Sequence, residues 1–240
     1  MQNKEFKVFI DFDGTITKKD VGEEIFLKFG KTTEVKNIIE DLLTDKISSK
    51  ECWVKLCESA NPINQKELNK FILNFEIDIS FNTFINYCKE KKIKNYILSD
   101  GFDYYINMIL EKEKINDVKV FANKLSIDSA GFLQPTFPYY DSQFKSSANC
   151  KRNHIIENSG DDEYTVFIGD GNSDKETIEY CDFIFAKNDL LRHCEMQRIT
   201  FFPFKNFNDV IKKIDELYKR KRLKKTHRAQ LKRQQAYINE

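Results

Sequence analysis

Two short apolar runs that each end in aspartate and glycine constrain this chain more than any other feature. The first, Val8–Ile10, is followed by Asp11 and Asp13, and an apolar run bounded by glycine predicts a buried β-strand. Side chains alternate along a strand, so both carboxyl groups can point the same way from the end where open α/β sheets place their ligands. Two anions held this close repel unless a cation lies between them or one is protonated. The spacing suits a carboxylate nucleophile, a neighbouring acid or base and a divalent metal, although turns also favour Asp and Gly for structural reasons alone.

The second apolar run, Tyr164–Gly169, repeats this design. Asp170 follows it directly, and Asp174 comes one helical turn later. Hard oxygen ligands at this spacing suit Mg²⁺, which takes few carboxylates and keeps several waters. The alternative is an acidic turn that holds no metal.

Two further segments carry candidate phosphate-binding groups. The apolar run Asn95–Leu98 leads into Ser99, Asp100 and Gly101, where a hydroxyl and the following backbone N–H groups can receive a phosphate at the start of a helix. The alternative is a simple helix cap, since all three residue types are good caps. Lys151 directly precedes a helix with apolar periodicity, and on its own it would be read as a solvated surface lysine.

Taken in order, these four segments resemble the motifs of the haloacid dehalogenase-like (HAD) phosphohydrolases, from about residue 7 to about residue 218. The resemblance implies a HAD-like, Rossmannoid α/β fold and Mg²⁺ as the cofactor. Asp11 corresponds to the nucleophile that forms an aspartyl-phosphate, and Asp13 corresponds to the general acid and base. Ser99 and Lys151 correspond to the phosphate-binding pair. The metal ligands that the resemblance implies are Asp11, the backbone carbonyl of Asp13, Asp170 and Asp174.

Within that family the chain is most similar to the phosphoserine-phosphatase-like branch, and there to the 2-hydroxy-3-keto-5-methylthiopentenyl-1-phosphate phosphatases of methionine salvage. The stretches that carry this similarity are Asp11–Thr17 with Asp20, Cys150 with Lys151, Phe185–Cys194 and Phe202–Phe207. The chain departs from its relatives at Asp100, where they often have Gly, and at Gly171 and Asn172. These departures leave the catalytic set intact.

The chain contains no arginine before Arg152. Phosphoserine phosphatases clamp the substrate carboxylate with a cap arginine, because the guanidinium fork matches a carboxylate bidentately. By resemblance, Lys55 takes roughly that place and offers a point charge instead of a fork, while Asp20 matches an acidic position near the substrate amino group. We therefore expect a small organophosphate with at most one further anionic or enolic group. An exposed helix lysine is the alternative interpretation of Lys55.

Helical periodicity dominates the region from about 20 to 91, in four or five amphipathic stretches. A crossover between parallel strands usually needs one helix, so we predict a helical cap over residues 17–78, inserted after the first strand. The core domain would then consist of residues 1–16 and 79–218. Alternatively, these helices belong to the core layer. The alternating strands and helices that follow predict a doubly wound parallel sheet.

Residues 219–240 form a strongly basic tail. They carry nine Lys or Arg and one acid, and since the whole chain has a formal charge of +1, residues 1–218 carry about −7. One interpretation is a basic arm for RNA, a membrane or an acidic partner. We favour a solvated helical or frayed extension, because the near-neutral chain gives no bulk electrostatic reason to expect nucleic acid.

The remaining features bound the class of protein. Six scattered cysteines without a Cys-x-x-Cys pair indicate neither zinc nor a redox pair, and no segment has the pattern of a signal peptide or a membrane span. We expect a soluble, cytoplasmic monomer or homodimer that acts on a small-molecule phosphate ester and does not bind membranes. The leading hypothesis is a Mg²⁺-dependent phosphatase of methionine salvage. The alternatives are a phosphoserine-type or broad phosphatase and, less favoured because every motif residue is present, a non-catalytic HAD-fold binding protein.

Overall fold

A seven-stranded sheet forms the centre of the protein in this computed structural model, which describes residues 4–144 and 146–238. Residues 1–3, 239 and 240, at the outer ends of the expected core and tail segments, lie outside the description. The strands are β1 (Phe6–Ile10), β2 (Lys94–Phe102), β3 (Lys119–Ile127), β4 (Leu133–Thr136), β5 (Tyr164–Gly169), β6 (Phe183–Ala186) and β7 (Phe202–Pro203). Their order is β4-β3-β2-β1-β5-β6-β7, and every neighbouring pair is parallel except β3 with β4.

Helices connect these strands and cover both faces of the sheet. The helices are α1 (Val21–Phe29), α2 (Thr32–Leu43), α3 (Ser49–Ser59), α4 (Gln65–Ile72), α5 (Phe81–Glu90), α6 (Asp103–Lys112), α7 (Lys151–Glu157), α8 (Asn188–Met196), α9 (Phe207–Lys219) and α10 (His227–Ile238). Two 3₁₀ turns, at Asn172–Asp174 and Thr177–Tyr180, lie between β5 and β6.

The alternation of side chains along β1 shows how the sheet is buried on both sides. Val8 and Ile10 belong to one apolar cluster, which includes residues of α5, α6 and α9, whereas Phe9 belongs to a second cluster with residues of α7, α8 and α10. All three side chains are fully buried. A strand covered on both faces reads as a continuous apolar run. The predicted doubly wound, mostly parallel α/β fold is therefore confirmed.

The four helices α1–α4 are inserted between β1 and α5. The two ends of the insertion meet in an antiparallel bridge between Thr17 and Ile77, and the Asp78 N–H donates to the Ile16 carbonyl over 2.8 Å. The insertion shares its apolar cluster with the sheet. The indole of Trp53, in the insertion, packs edge-on against the ring of Phe102, with ring centroids 4.9 Å apart. The insertion thus leaves and returns to the core at one point and packs against it through a continuous apolar surface.

Three details of these elements bear on the site. β2 extends beyond the apolar run Asn95–Leu98 to Phe102, after a shift of register against β3. Two 3₁₀ turns follow β5, and there the Asp174 carboxylate folds back to accept from the backbone N–H groups of Asp170 and Gly171. The short β4 forms one edge of the sheet.

The basic tail is not a solvated extension, contrary to our expectation. Its helix α10 packs against the 3₁₀ turn at Thr177–Tyr180, and Ala229 and Arg233 are buried. Arg233 donates to Thr165 Oγ1 over 2.9 Å and pairs with the Asp182 carboxylate at 3.4 Å. The small side chain of Ala229 permits close approach, and the buried guanidinium of Arg233 has buried acceptors. The tail therefore docks although its composition is polar.

No helix within residues 4–144 and 146–238 is both long and apolar enough to span a bilayer. The six cysteines are all free thiols, and all six are buried.

Candidate active site

The carboxyl ends of β1, β2 and β5 bring the sequence motifs together at one edge of the sheet. β1 lies between the other two strands, and the Asp11 N–H donates to the Ile168 carbonyl over 2.9 Å. This bond continues the β1–β5 pairing one residue beyond Ile10. Asp11 and Asp170 therefore directly follow β1 and β5, and Ser99 lies in the carboxyl-terminal part of the neighbouring β2, at the same edge of the sheet.

Lys151 is the centre of the charged network at this edge. It opens α7, its side chain is 1% exposed, and its ammonium lies 2.5 Å from Asp11 Oδ1 and 2.7 Å from Asp174 Oδ1. It also donates to Ser173 Oγ over 3.1 Å. Burial alone would lower the pKa of Lys151, but the two carboxylates outweigh it and raise that pKa. The lysine therefore stays charged and fixes the orientation of Asp11.

Three carboxylates here form a group that could hold a metal ion. Oxygen atoms of Asp11, Asp170 and Asp174 all lie within 4.8 Å of one another. Burial, followed by the field of neighbouring carboxylates, raises the pKa of Asp170, and burial raises the pKa of Asp11 well above its usual range. Since Lys151 supplies one positive charge against three negative ones, a divalent cation would balance the group. All-oxygen ligands of this kind fit Mg²⁺.

Asp170 is held in place by two residues from the stretches that carry the family resemblance. Thr15 Oγ1 donates to Asp170 Oδ1 over 2.8 Å, and Asn188 Nδ2 donates to Asp170 Oδ2 over 3.0 Å. Gly14 has φ +74°, and a Cβ there would lie 2.5 Å from Asp170 Oδ2. The glycine after Asp13 is therefore needed both for the turn and for the close approach of the two motifs.

The Asp13 carboxyl group lies beside this cluster and is not one of its three members. Asp13 Oδ1 accepts from the Val21 N–H over 2.9 Å, and Oδ2 accepts from the Tyr105 hydroxyl over 2.6 Å and from Ser99 Oγ over 3.3 Å. Burial raises the pKa of Asp13 to about 6, although these hydrogen bonds oppose the shift. A carboxyl group with such a pKa can exchange a proton near neutral pH, as a general acid and base requires.

Ser99 and Gly101 lie beside the Asp13 carboxyl group, in the carboxyl-terminal part of β2. Ser99 is 1% exposed and accepts the Gly101 N–H over 3.0 Å. A Cβ at Gly101 would lie 1.6 Å from the Tyr105 hydroxyl and 2.9 Å from Asp13 Oδ2. Gly101 is therefore the residue that makes room for the bond between Tyr105 and Asp13.

The Asp100 side chain accepts hydrogen bonds from the loop before Lys151 and from α3. The expectation for this residue concerned its backbone N–H group, and it stays a prediction. Asp100 Oδ1 accepts from Ser147 Oγ over 2.7 Å and from the N–H groups of Ala148 and Asn149 over 2.6 and 2.9 Å. Its Oδ2 accepts from Ser49 Oγ, at the start of α3. Both carboxylate oxygens are thus occupied, and they join β2 to the loop before Lys151 and to the inserted helices.

Asp20 and Lys55, the two expected substrate residues of the insertion, are both exposed. Asp20 caps α1 by accepting the Glu23 N–H over 2.8 Å. Lys55 lies on α3 and is not among the residues that line the cavity at the mouth of the site. The geometry therefore does not bring Lys55 into the site with the motif residues.

That cavity has a volume of about 620 Å³ and lies between the insertion and the core. Leu42 and Ile47 line it from the insertion, and Asp100 and Ser173 line it from the core. A volume of this size suits a small organic molecule.

Several site residues were missed by the sequence reasoning. Tyr105 lies in the first turns of α6, and its sequence position gives no sign that it reaches Asp13. Asn149 donates to the carbonyls of Ser99 and Phe121 over 2.7 and 2.8 Å, and it thereby holds the loop before Lys151. Ser173 directly precedes Asp174 in the sequence, and this adjacency was the one available signal for its role.

Comparison with known proteins agrees with this geometry. The model of the family described as "Putative Phosphatase" matches residues 6–212. The chain belongs to this family. A 2-hydroxy-3-keto-5-methylthiopentenyl-1-phosphate phosphatase of Bacillus mycoides is 32% identical over 218 residues, which are 88% of this chain and 96% of the relative. Pdp3-interacting factor 1 of Schizosaccharomyces pombe is 29% identical over 226 residues, which are 90% and 98% of the two chains.

Solved structures with the same fold include phosphoserine phosphatase. A structure of that enzyme with an analogue of its phospho-aspartyl intermediate has a TM-score of 0.68 at 20% identity, over 88% of this chain and 99% of the other. Cytosolic 5'-nucleotidase IIIB bound to cytidine has a TM-score of 0.57 at 16% identity, over 90% and 86% of the two chains. These likenesses establish the HAD-like fold. With the family membership, they identify the protein as a HAD-fold phosphatase.

Proposed function

We propose that this phosphatase is a Mg²⁺-dependent phosphomonoester hydrolase that works through an aspartyl-phosphate on Asp11. The observation that carries the proposal is the buried contact of 2.5 Å between Lys151 Nζ and Asp11 Oδ1, beside the carboxylates of Asp170 and Asp174. A nucleophilic carboxylate must be ionised and aimed at the phosphorus. Lys151 counteracts the rise in the pKa of Asp11 that burial causes, and its hydrogen bond orients the carboxylate. Mg²⁺, when bound by Asp11, Asp170, Asp174 and the Asp13 carbonyl, would neutralise the excess negative charge and polarise the phosphoryl group.

In the first step, an oxygen of Asp11 attacks the phosphorus of the ester. The bond from phosphorus to the leaving oxygen breaks with its electron pair, and the protonated Asp13 gives that oxygen its proton. The raised pKa of Asp13, about 6, leaves part of the protein in the protonated form near neutral pH. Ser99 and Lys151 are our proposed partners for the phosphoryl oxygens, since phosphoryl transfer depends mainly on positioning and charge stabilisation.

In the second step, a water molecule attacks the phosphorus of the aspartyl-phosphate. Asp13 is now a carboxylate and takes a proton from that water, while the bond between phosphorus and Asp11 breaks. Phosphate leaves, Asp11 is again a carboxylate, and Asp13 is again protonated. One residue thus serves as acid and then as base, and its hydrogen bonds to Tyr105 and Ser99 hold it in place for both roles.

The proposed substrate is 2-hydroxy-3-keto-5-methylthiopentenyl-1-phosphate, in methionine salvage. Support comes from the activity for which the Bacillus mycoides relative is named and from the lack of any arginine in the insertion. The half-buried Leu42 and Ile47 on the wall of the cavity favour a substrate with an apolar part. We further propose that residues 17–78 act as a cap over this cavity and that the protein works in the cytoplasm, where its free thiols stay reduced.

Phosphate release from a substrate panel tests the proposal. The panel holds the enol phosphate of methionine salvage, phosphoserine, phosphocholine and simple sugar phosphates, each with Mg²⁺ and with EDTA. We expect turnover that needs Mg²⁺ and prefers the enol phosphate. Asp11→Asn should remove nearly all turnover, while Asp161→Asn, an exposed control, should not. Activity that survives EDTA or Asp11→Asn would contradict the mechanism. Equal rates of hydrolysis for every compound of the panel would contradict only the proposed substrate.

A further inference from the structure

A second cavity lies far from the catalytic edge, beneath the docked C-terminal helix. It has a volume of about 510 Å³, and its wall includes Asp182 and Phe183, at the amino end of β6. The catalytic motifs follow the carboxyl ends of the strands, so this cavity opens at the opposite edge of the sheet. Thr226, the residue before α10, and Arg228, in the first turn of α10, complete the wall of the cavity.

Three arginines from separate parts of the chain line this cavity. Arg198 comes from the connection between α8 and β7, Arg220 from the end of α9, and Arg228 from α10. The sequence contains seven arginines. Ion pairs within the described residues engage Arg152, Arg192 and Arg233. Of the four that are in no ion pair there, three line this one cavity, and the fourth is Arg222.

The acidic residue of the cavity does not neutralise these arginines. Asp182 Oδ1 accepts the Thr226 N–H over 3.0 Å, and Oδ2 accepts the Thr165 N–H over 3.0 Å. Oδ2 also pairs with the buried Arg233, at 3.4 Å. The carboxylate is therefore already committed to α10 and to β5, and the positive charge of the wall stays uncompensated.

One of the guanidinium groups also has an unused donor. Arg228 Nε is buried and has no hydrogen-bond partner among the residues that the structure describes. A buried donor without an acceptor costs free energy that a bound acceptor would recover. The side chains of Ile184, Ile199 and Phe202 add an apolar part to the wall.

We propose that this cavity is a second ligand site, and that it binds a small organic molecule that carries a phosphate or a comparable oxyanion. Guanidinium groups bind such oxyanions through paired, charge-assisted hydrogen bonds. The volume falls within the range of small-molecule sites. The cavity therefore favours a small ligand over a long polyanion, which would lie on the surface. Since the site is formed by the tail and the core together, it also gives the basic tail a specific role.

Calorimetric titration of the whole protein with inorganic pyrophosphate, in EDTA and at physiological salt, tests the proposal. Without metal, the catalytic edge carries more negative than positive charge and repels anions, so binding there does not confuse the result. We expect one pyrophosphate per chain. Replacing two lining arginines, Arg198→Gln with Arg228→Gln, should raise Kd by about tenfold or more.

The matched control is Arg192→Gln with Arg222→Gln, which removes the same charge from residues that do not line the cavity. Its Kd should stay close to that of the unaltered protein. A single variant at an exposed position, Arg198→Glu, should also abolish binding and keeps the test valid if the double variant folds poorly. Two results would overturn the proposal: no binding of pyrophosphate, or an equal loss of binding in the control variant.

Discussion

The hydroxyl of Tyr105 donates a hydrogen bond of 2.6 Å to Asp13 Oδ2. The bond stabilises the ionised form of Asp13 and therefore opposes the burial that raises its pKa to about 6. Tyr105 comes from α6, whereas Asp13 follows β1, so two distant segments together set the proton affinity of the proposed acid and base.

Removing this hydroxyl should change the pH dependence of turnover. In Tyr105→Phe the Asp13 carboxylate loses a donor, so its pKa rises further. Protonated Asp13 is needed for the first step, and kcat/KM for an alkyl phosphate therefore falls as pH rises through this pKa. We expect the alkaline limb of the kcat/KM profile to move up by about one pH unit in the variant at the same Mg²⁺ concentration.

Two controls separate this effect from general damage. Tyr104→Phe removes the neighbouring hydroxyl, which bonds to Asn69 and not to Asp13, and should leave the profile in place. p-Nitrophenyl phosphate has a leaving group that needs no proton, so its alkaline limb should be much weaker. A limb that moves down in Tyr105→Phe would contradict the proposed role of Asp13.

The three clustered carboxylates should make the metal-free protein less stable than it could be. In the proposed function Mg²⁺ binds the folded cluster and not the unfolded chain, so at about a hundredfold excess over Kd it should add about 2.7 kcal/mol and raise Tm by several degrees. Asp170→Asn removes one repelling charge and should stabilise the metal-free protein while abolishing the shift with Mg²⁺. Thermal unfolding with Mg²⁺ and with EDTA measures both effects. Asp161→Asn, on an exposed loop, should keep the full shift; an equal shift in both variants would exclude this cluster as the metal site.

The sequence was sufficient for the strands that carry the motifs, and for physical reasons. Val8–Ile10 and residues 165–169 are buried, so their apolar composition was enough to predict strands. Asp11 and Asp170 could be grouped because parallel strands end at one edge, whereas Lys151, at the start of a helix, was included only through the family resemblance. Local pattern and global position agree at these residues.

Other features depend on contacts that no local pattern encodes. The role of the Asp100 side chain was not predicted, because it accepts from donors that lie 47 to 51 residues away in the chain. α10 has the composition of a solvated helix, and it docks because Arg233 meets acceptors of residues 165, 180 and 182. Lys55 was placed by resemblance alone, and it is exposed on α3 and is not among the residues that line the cavity.

The network around Asp100 should be needed for the position of Lys151. In Asp100→Ala the loop residues Ser147, Ala148 and Asn149 lose their acceptor, and a shift of Lys151 by about 1 Å would lower kcat by about a hundredfold. Asp100→Asn keeps one acceptor oxygen and should restore much of the rate.

A companion variant tests the contact with the insertion. Ser49→Ala breaks only the bond between α3 and Asp100, so it should raise KM and leave kcat nearly unchanged. Steady-state kinetics of the three variants measure this division between kcat and KM. If Asp100→Ala and Ser49→Ala behaved alike, Asp100 would act on the insertion alone and not on Lys151.

Docking of α10 should account for a large part of the stability of the fold. Arg233 is 4% exposed and bonds to Thr165, Tyr180 and Asp182, so Arg233→Leu leaves the buried Asp182 carboxylate without its cation. Breaking a buried pair in this way costs about 3 kcal/mol or more, which corresponds to a fall in Tm of roughly 10 °C for a chain of this size. Turnover at 25 °C should persist, because the pair lies at the edge of the sheet opposite the catalytic motifs.

Thermal unfolding is the measurement, with Arg222→Leu, an exposed residue of the same tail, as the control. Adding Asp182→Asn to Arg233→Leu should recover part of the loss, since no buried charge is then left unpaired; equal Tm values for Arg233→Leu and Arg222→Leu would mean that α10 is not docked in solution.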